Sequence, residues 1–158
     1  MPATAIYRTS IAAEWIDYNG HLRDANYGLI ISLATDVLME RLGMDASYRE
    51  RTRCTLYTVE MHIHYLREVH RGDVVVVSAV ILGSDAKRIH ASLQLACEGR
   101  AEPAAAAEIM LLHVQQAQTP AAAPFPAAIA RAIDEFREQS AGPISVPGSR
   151  RIELRSRR

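Results

Sequence analysis

The run "RCTLYTVEMHIHYLRE", residues 53–68, alternates in character over more than ten positions, and this periodicity limits the fold more than any other feature of the chain. Side chains on a strand point to opposite faces in turn. The pattern therefore predicts one long half-buried strand, with Tyr57, Val59, Met61, Ile63 and Tyr65 on one face and Thr58, Glu60, His62 and His64 on the other. Such a strand leaves a row of unpaired backbone groups unless further strands cover it. They follow at once: "RGD" at 71–73 turns the chain, "VVVVSAVIL" is β-branched, "GSDAKR" is hairpin-sized, and "IHASLQLAC" sets Ile89, Ala91, Leu93, Leu95 and Cys97 on one face. The alanines of "AEPAAAAEIMLLHVQQAQ" favour helix. Its position after three strands, with Pro103 at its start, predicts another strand instead.

Upstream, residues 4–12 alternate weakly and read as a first strand. From Asp24 to Leu42, the apolar residues Tyr27, Ile30, Ile31, Ala34, Leu38 and Leu42 recur at three- and four-residue steps before Gly43, predicting a helix of about five turns with Asp24 at its N-cap. Gly28 costs such a helix about 1 kcal/mol relative to Ala, which hints at close backbone approach or at a tolerated glycine. Residues between this helix and the long strand form a polar link. "TPAAAPFP" at 119–126 is a proline-punctuated linker, and "PAAIARAIDEFREQ" a short amphipathic helix with Pro126 in its first turn. The order predicts an α+β domain: an antiparallel five-stranded sheet around one long central helix, with an extra C-terminal helix. Residues 1–140 are assigned to this single domain and 141–158 to a solvated basic tail.

Composition narrows the function classes. Eighteen basic side chains balance 18 acidic ones, so bulk charge recruits neither nucleic acid nor an anionic membrane. No segment has the roughly 18 apolar residues of a membrane span, and the N-terminal residues lack a basic start and apolar run, so a cytoplasmic protein is expected. Cys54 and Cys97 stand far apart without a CxxC spacing, which suggests neither a disulfide framework nor a structural zinc site.

The stretch "EWIDYNGHLRDANY", residues 14–27, crowds polar and aromatic groups just before the long helix. Within it "DYNGHLRDANY" resembles the D-x-x-G-H-x-x-x-x-x-Y signature of hotdog-fold thioesterases of the 4-hydroxybenzoyl-CoA thioesterase type. "VEMHIHYLREVHRGD" resembles that family's long second strand and Gly-Asp turn, and "LGSDAKRIH" its next hairpin. The resemblance spans about residues 5–136 and extends to the bacterial subgroup found with, or fused to, L-carnitine dehydrogenase, whose members are similar to betainyl-CoA thioesterases. It implies an acyl-CoA substrate, no cofactor beyond the CoA of that substrate, and a homodimer or a tetramer built from it, with each active site between one protomer's helix start and its partner's sheet. The exposed edge of a long strand supports pairing physically.

Thioester hydrolysis needs a carboxylate that attacks the carbonyl or activates water, and donors for the developing oxyanion. The resemblance places Asp17 at the catalytic carboxylate, as nucleophile or general base; by itself "DYNG" is also an ordinary turn. Backbone N–H groups of Asp24 and Ala25, at the positive end of the helix dipole, are the expected oxyanion donors. Asp24 is in addition the second choice for the base. His21 can donate to the carbonyl or orient Asp17, and Asn19 can hold water; a structural hydrogen bond and a local Asx turn are the competing readings. A quaternary ammonium acyl group needs aromatic faces, for which Trp15, Tyr18, Tyr27 and Tyr57 are candidates, against ordinary core use. Glu60, His62 and His64 alternate on one strand face at a spacing of roughly 6 to 7 Å, loose for a shared ion, so no metal is expected and Glu60 is kept as a site contact. Arg67, Lys87 and Arg88, together with Arg71, are candidates for the CoA phosphates. The rivals are a hydratase or dehydratase with His21 as main base, and a non-catalytic acyl-CoA-binding scaffold.

Overall fold

The computed structural model describes residues 4–140, so the predicted basic tail at 141–158 lies outside the described residues. Five strands make the sheet: β1 (Thr4–Ser10), β2 (Cys54–Tyr65), β3 (Val74–Ser84), β4 (Arg88–Cys97) and β5 (Pro103–Gln115). They lie in the order β1-β3-β4-β5-β2, all antiparallel, and a two-residue β6 (Ala121–Ala122) adds to β5. The sheet curls around α1 (Asp24–Arg41), followed by α2 (Ala46–Thr52) and, at the other end of the sequence, α3 (Ala127–Gln139). Among the described residues no helix is long and apolar enough to cross a membrane.

The periodicities explain the layers. Ile30, Ile31, Ala34 and Leu38 of α1 are fully buried, and at about 1.5–3 kcal/mol for each large side chain they anchor the helix on the sheet. The sheet meets them with Val75, Val77 and Ala79 of β3, Ile89, Ala91, Leu93 and Leu95 of β4, and Ala105, Ala107, Ile109 and Leu111 of β5. The alanine-rich segment is a strand because both its edges are paired, with β4 and with β2; tertiary pairing overrides alanine's helix propensity. Gly43 ends α1 with φ +86°, as a C-terminal glycine should. A Cβ at Gly28 would meet Ile63 Cδ1 at 3.7 Å, an ordinary contact, so no crowding demands glycine there.

Three expectations need correction. The N-cap of α1 is Arg23, without a side-chain cap, and Asp24 is the first helical residue. The polar link contains α2, whose N-cap Asp45 accepts a bond from the Tyr48 N–H at 2.8 Å; buried Tyr48 then reaches His113 Nε2 at 2.8 Å. Most consequential is β2. Its pairing with β5 skips a residue between Thr58 and Glu60, which leaves Val59 as a bulge. The extra residue shifts the alternation: Leu56 packs inward before it and Met61 and Ile63 after it, whereas Tyr57 and Val59 are exposed.

Candidate active site

The segment between β1 and α1 is a loop folded on itself. The Asp17 N–H donates to the His21 carbonyl at 2.8 Å, the Gly20 N–H to the Asp17 carbonyl at 3.1 Å, and Ile16 bridges Leu22. Gly20 takes φ +83°, a conformation that side-chain-bearing residues rarely adopt. One carboxylate oxygen of Asp17, Oδ1, accepts the N–H groups of Asn19 at 2.8 Å and His21 at 3.2 Å. The His21 N–H and then the Asn19 N–H, aided by the charges of His21 and Arg23, hold the Asp17 carboxyl below the usual aspartate range. It is therefore an anion at neutral pH. Its Oδ2 has no hydrogen-bond partner among the described residues.

This loop is stitched to the segment leaving β2. The Leu22 N–H donates to the Val69 carbonyl at 2.7 Å and His21 bridges His70. Between them lies a pocket of about 390 Å³ lined by Asp17, His21, Leu22, Asp24, Tyr27, Tyr65, Leu66, Arg67 and Glu68. Tyr27 is buried, and its hydroxyl donates to the Arg67 carbonyl at 3.2 Å; burial raises its pKa. Its ring meets Tyr65 edge-on at 5.2 Å. The Arg67 guanidinium is held by Glu102 and the Pro103 carbonyl. His21 Nε2 stands 3.2 Å from Glu68.

Of the residues singled out from sequence, Asp17, His21, Asp24, Tyr27 and Arg67 come together here. Asn19 borders Asp17 through its backbone, in the Asx turn weighed against a direct role. Ala25 donates its N–H to the Asp24 carboxylate at 2.8 Å. Trp15 packs against the core, where its carbonyl accepts the Arg23 N–H and the Asn26 side chain. Tyr18 is 94% exposed, which removes it from any cage within one chain. Tyr57 and Glu60 lie on the outer side of β2, Glu60 beside His62 at 3.2 Å. Lys87 and Arg88 sit at the β3–β4 turn, Arg88 in an ion pair with Asp85. Tyr65 and Glu68 were missed as site residues. The only hint was their place at the end of the alternating run, where the chain leaves the sheet.

A model of the thioesterase-like superfamily matches residues 11–133. The chain belongs to that superfamily. As a member it is a thioester hydrolase, and its relatives agree. The betainyl-CoA thioesterase of Pseudomonas aeruginosa is 41% identical over 132 residues, 84% of this chain and 82% of that protein. The L-carnitine dehydrogenase/betainyl-CoA thioesterase of Agrobacterium fabrum is 36% identical over 139 residues, 88% of this thioesterase but 28% of the longer protein. Among solved structures, a candidate thioesterase of Pseudomonas putida KT2440 superposes with TM-score 0.82 at 44% identity, covering 99% of both chains. A Staphylococcus aureus protein in complex with CoA gives TM-score 0.84 at 29% identity over 98% of both.

Proposed function

We propose that this thioesterase hydrolyses a short cationic acyl-CoA, with betainyl-CoA the first candidate, and that Asp17 is its catalytic carboxylate. The observation that carries the reading is the pairing of an ionised Asp17, one oxygen fixed and one unengaged, with a pocket that also holds Asp24, Glu68, Tyr27 and Tyr65. Carboxylates and aromatic walls suit a quaternary ammonium, which gains from ring faces and counter-charges but not from an apolar tunnel. Arg67, the cation of the lining, has its charge met by Glu102. The names of the relatives point to the same acyl group.

In this reading Asp17 Oδ2 either adds to the thioester carbonyl, giving an anhydride that water then opens, or removes a proton from water as that water adds. Both routes break the C–S bond and release the free acid and the CoA thiol. The Asp24 N–H, at the start of α1, faces the developing oxyanion; rotation of the exposed Asp24 side chain would free the Ala25 N–H to join it. His21 supports the loop that presents Asp17. CoA enters as part of the substrate, and the step uses no further cofactor. Of the four cations expected at the CoA phosphates, Arg67 and Arg88 are met by Glu102 and Asp85, whereas Lys87 and Arg71 make no ion pair among the described residues and are retained as that contact.

The proposed assembly is a homodimer. Among the described residues strand β2, twelve residues long, pairs only with β5 and its other edge is open, with Tyr57, Val59 and Tyr65 exposed. A second copy pairing there would cover that edge and bring Tyr57 and Glu60 toward the shared interface. Thiol release from betainyl-CoA, acetyl-CoA and an aromatic acyl-CoA tests the substrate. We expect kcat/KM for betainyl-CoA to exceed the others by about tenfold, the scale of one cation–π contact. Binding without release, or a preference for the aromatic substrate, would overturn the reading.

A further inference from the structure

Beside the pocket, two segments distant in sequence bring three metal-ligating side chains to one point. His21 and His70 are partners in a short antiparallel bridge, their rings edge-to-face at 5.0 Å. Glu68 lies two residues before His70, so in extended backbone it projects to the same side. Its Oε2 stands 3.2 Å from His21 Nε2 and 3.8 Å from His70 Nε2, and all three donor atoms lie within 4.8 Å of one another. Ligands at tetrahedral zinc distances are separated by roughly 3.3 Å, so one pair is already at that spacing and the others need a small side-chain closure. We infer that His21, Glu68 and His70 form a binding site for a divalent transition-metal ion of the zinc class.

The surroundings supply what an isolated trio would lack. Metal-bound histidines usually have the far ring nitrogen turned toward a carboxylate, which fixes the ring and raises its basicity. His70 Nδ1 stands 3.9 Å from Asp73 Oδ2. Asp73 is itself fixed, taking the His70 N–H at 2.9 Å and Arg100 at 3.1 Å. The backbone is held as well, by the Leu22–Val69 and Asp73–His70 hydrogen bonds. Two imidazoles and a carboxylate select zinc-like ions over calcium or magnesium, which prefer all-oxygen sites. Three protein ligands leave at least one position for water. The ion would tie the loop carrying Asp17 to the strand exit at 66–70, and with it bound Asp17 and Asp24 are the lining carboxylates left to meet a cationic acyl group.

The site requires no substrate, so its test is independent of the acyl-group assignment. Chelator-treated full-length protein is titrated with zinc chloride by calorimetry, and its Tm is followed with and without zinc. We expect one ion per chain and a zinc-dependent rise in Tm that chelator reverses. Glu68→Gln and His70→Ala should each weaken binding tenfold or more, whereas His62→Ala, at the Glu60–His62 pair, should leave stoichiometry and affinity unchanged. Cobalt(II) should give the visible absorption of a four-coordinate nitrogen and oxygen site, lost in His70→Ala. Absence of saturable zinc binding, or binding that survives in the folded Glu68→Gln/His70→Ala double variant, overturns the inference.

Discussion

Two aspartates in this molecule make almost the same turn and end in opposite situations. At Asp17, Oδ1 accepts the N–H groups of Asn19 and His21; at Asp85, Oδ1 accepts those of Lys87 and Arg88. The difference lies on the other oxygen. Asp85 Oδ2 takes the Arg88 guanidinium at both Nε, 2.8 Å, and Nη2, whereas Asp17, which lines the pocket, has no hydrogen bond on Oδ2 among the described residues. Burial opposes ionisation of Asp85, but Arg88 and the Lys87 N–H together outweigh it, so both carboxyls end below the ordinary range. Turn chemistry alone therefore does not distinguish a structural carboxylate from a reactive one. What distinguishes them is whether the second oxygen is already neutralised.

The sharpest way to break this comparison is to exchange each carboxylate for an amide. Asp17→Asn keeps an Oδ1 acceptor for the turn but removes the anion; kcat for thiol release should fall about 10³-fold, within the range of acid–base and nucleophile deletions, with Tm nearly unchanged. Retention of a tenth of wild-type turnover would move the chemistry elsewhere. A second expectation concerns pH. Because the His21 and Asn19 N–H groups favour the charged form, Asp17 stays ionised as pH falls, and activity is lost only as pH passes through its lowered value. The acid limb of kcat/KM should lie below the pKa of a free aspartate side chain; a limb at or above it would contradict the assignment. The smallest effect belongs to Asp85→Asn, which removes one partly exposed ion pair. Stability should drop by at most about 1 kcal/mol with turnover unchanged. This loss is present above the unfolded aspartate pKa and vanishes as pH falls through the lowered folded value, so denaturant midpoints at neutral and acid pH should converge.

The fold was largely readable in the chain because its signals are local. Leu93 and Leu95 alternate as a strand should, Ile30 and Leu38 recur as a helix should, and Gly43 stops the helix where φ turns positive. Asp17, His21 and Tyr27 were legible because they share one short stretch. The metal-ligating trio was not, since His21 and His70 become neighbours only through a backbone bridge between distant segments. Helix α2 escaped because its signal was a single capping aspartate, Asp45, and one buried tyrosine among polar residues. Asp24 was placed at the cap by residue type, yet the chain enters the helix one residue earlier, and its carboxylate bonds the next N–H instead.

Strand β2 alternates from end to end in the letters but not in space, and Val59 is the reason. The bulge acts as a one-residue frameshift in the code of faces: the stretches on either side are each in phase with the core, and out of phase with one another. Forcing Val59 into a regular ladder would compel a choice, either Leu56 turned outward or Met61 and Ile63 expelled from beneath the helix, whereas deleting it would leave a shorter, unbroken strand with all three still inward. For this strand, leaving one residue out of the ladder is what lets both halves keep their places.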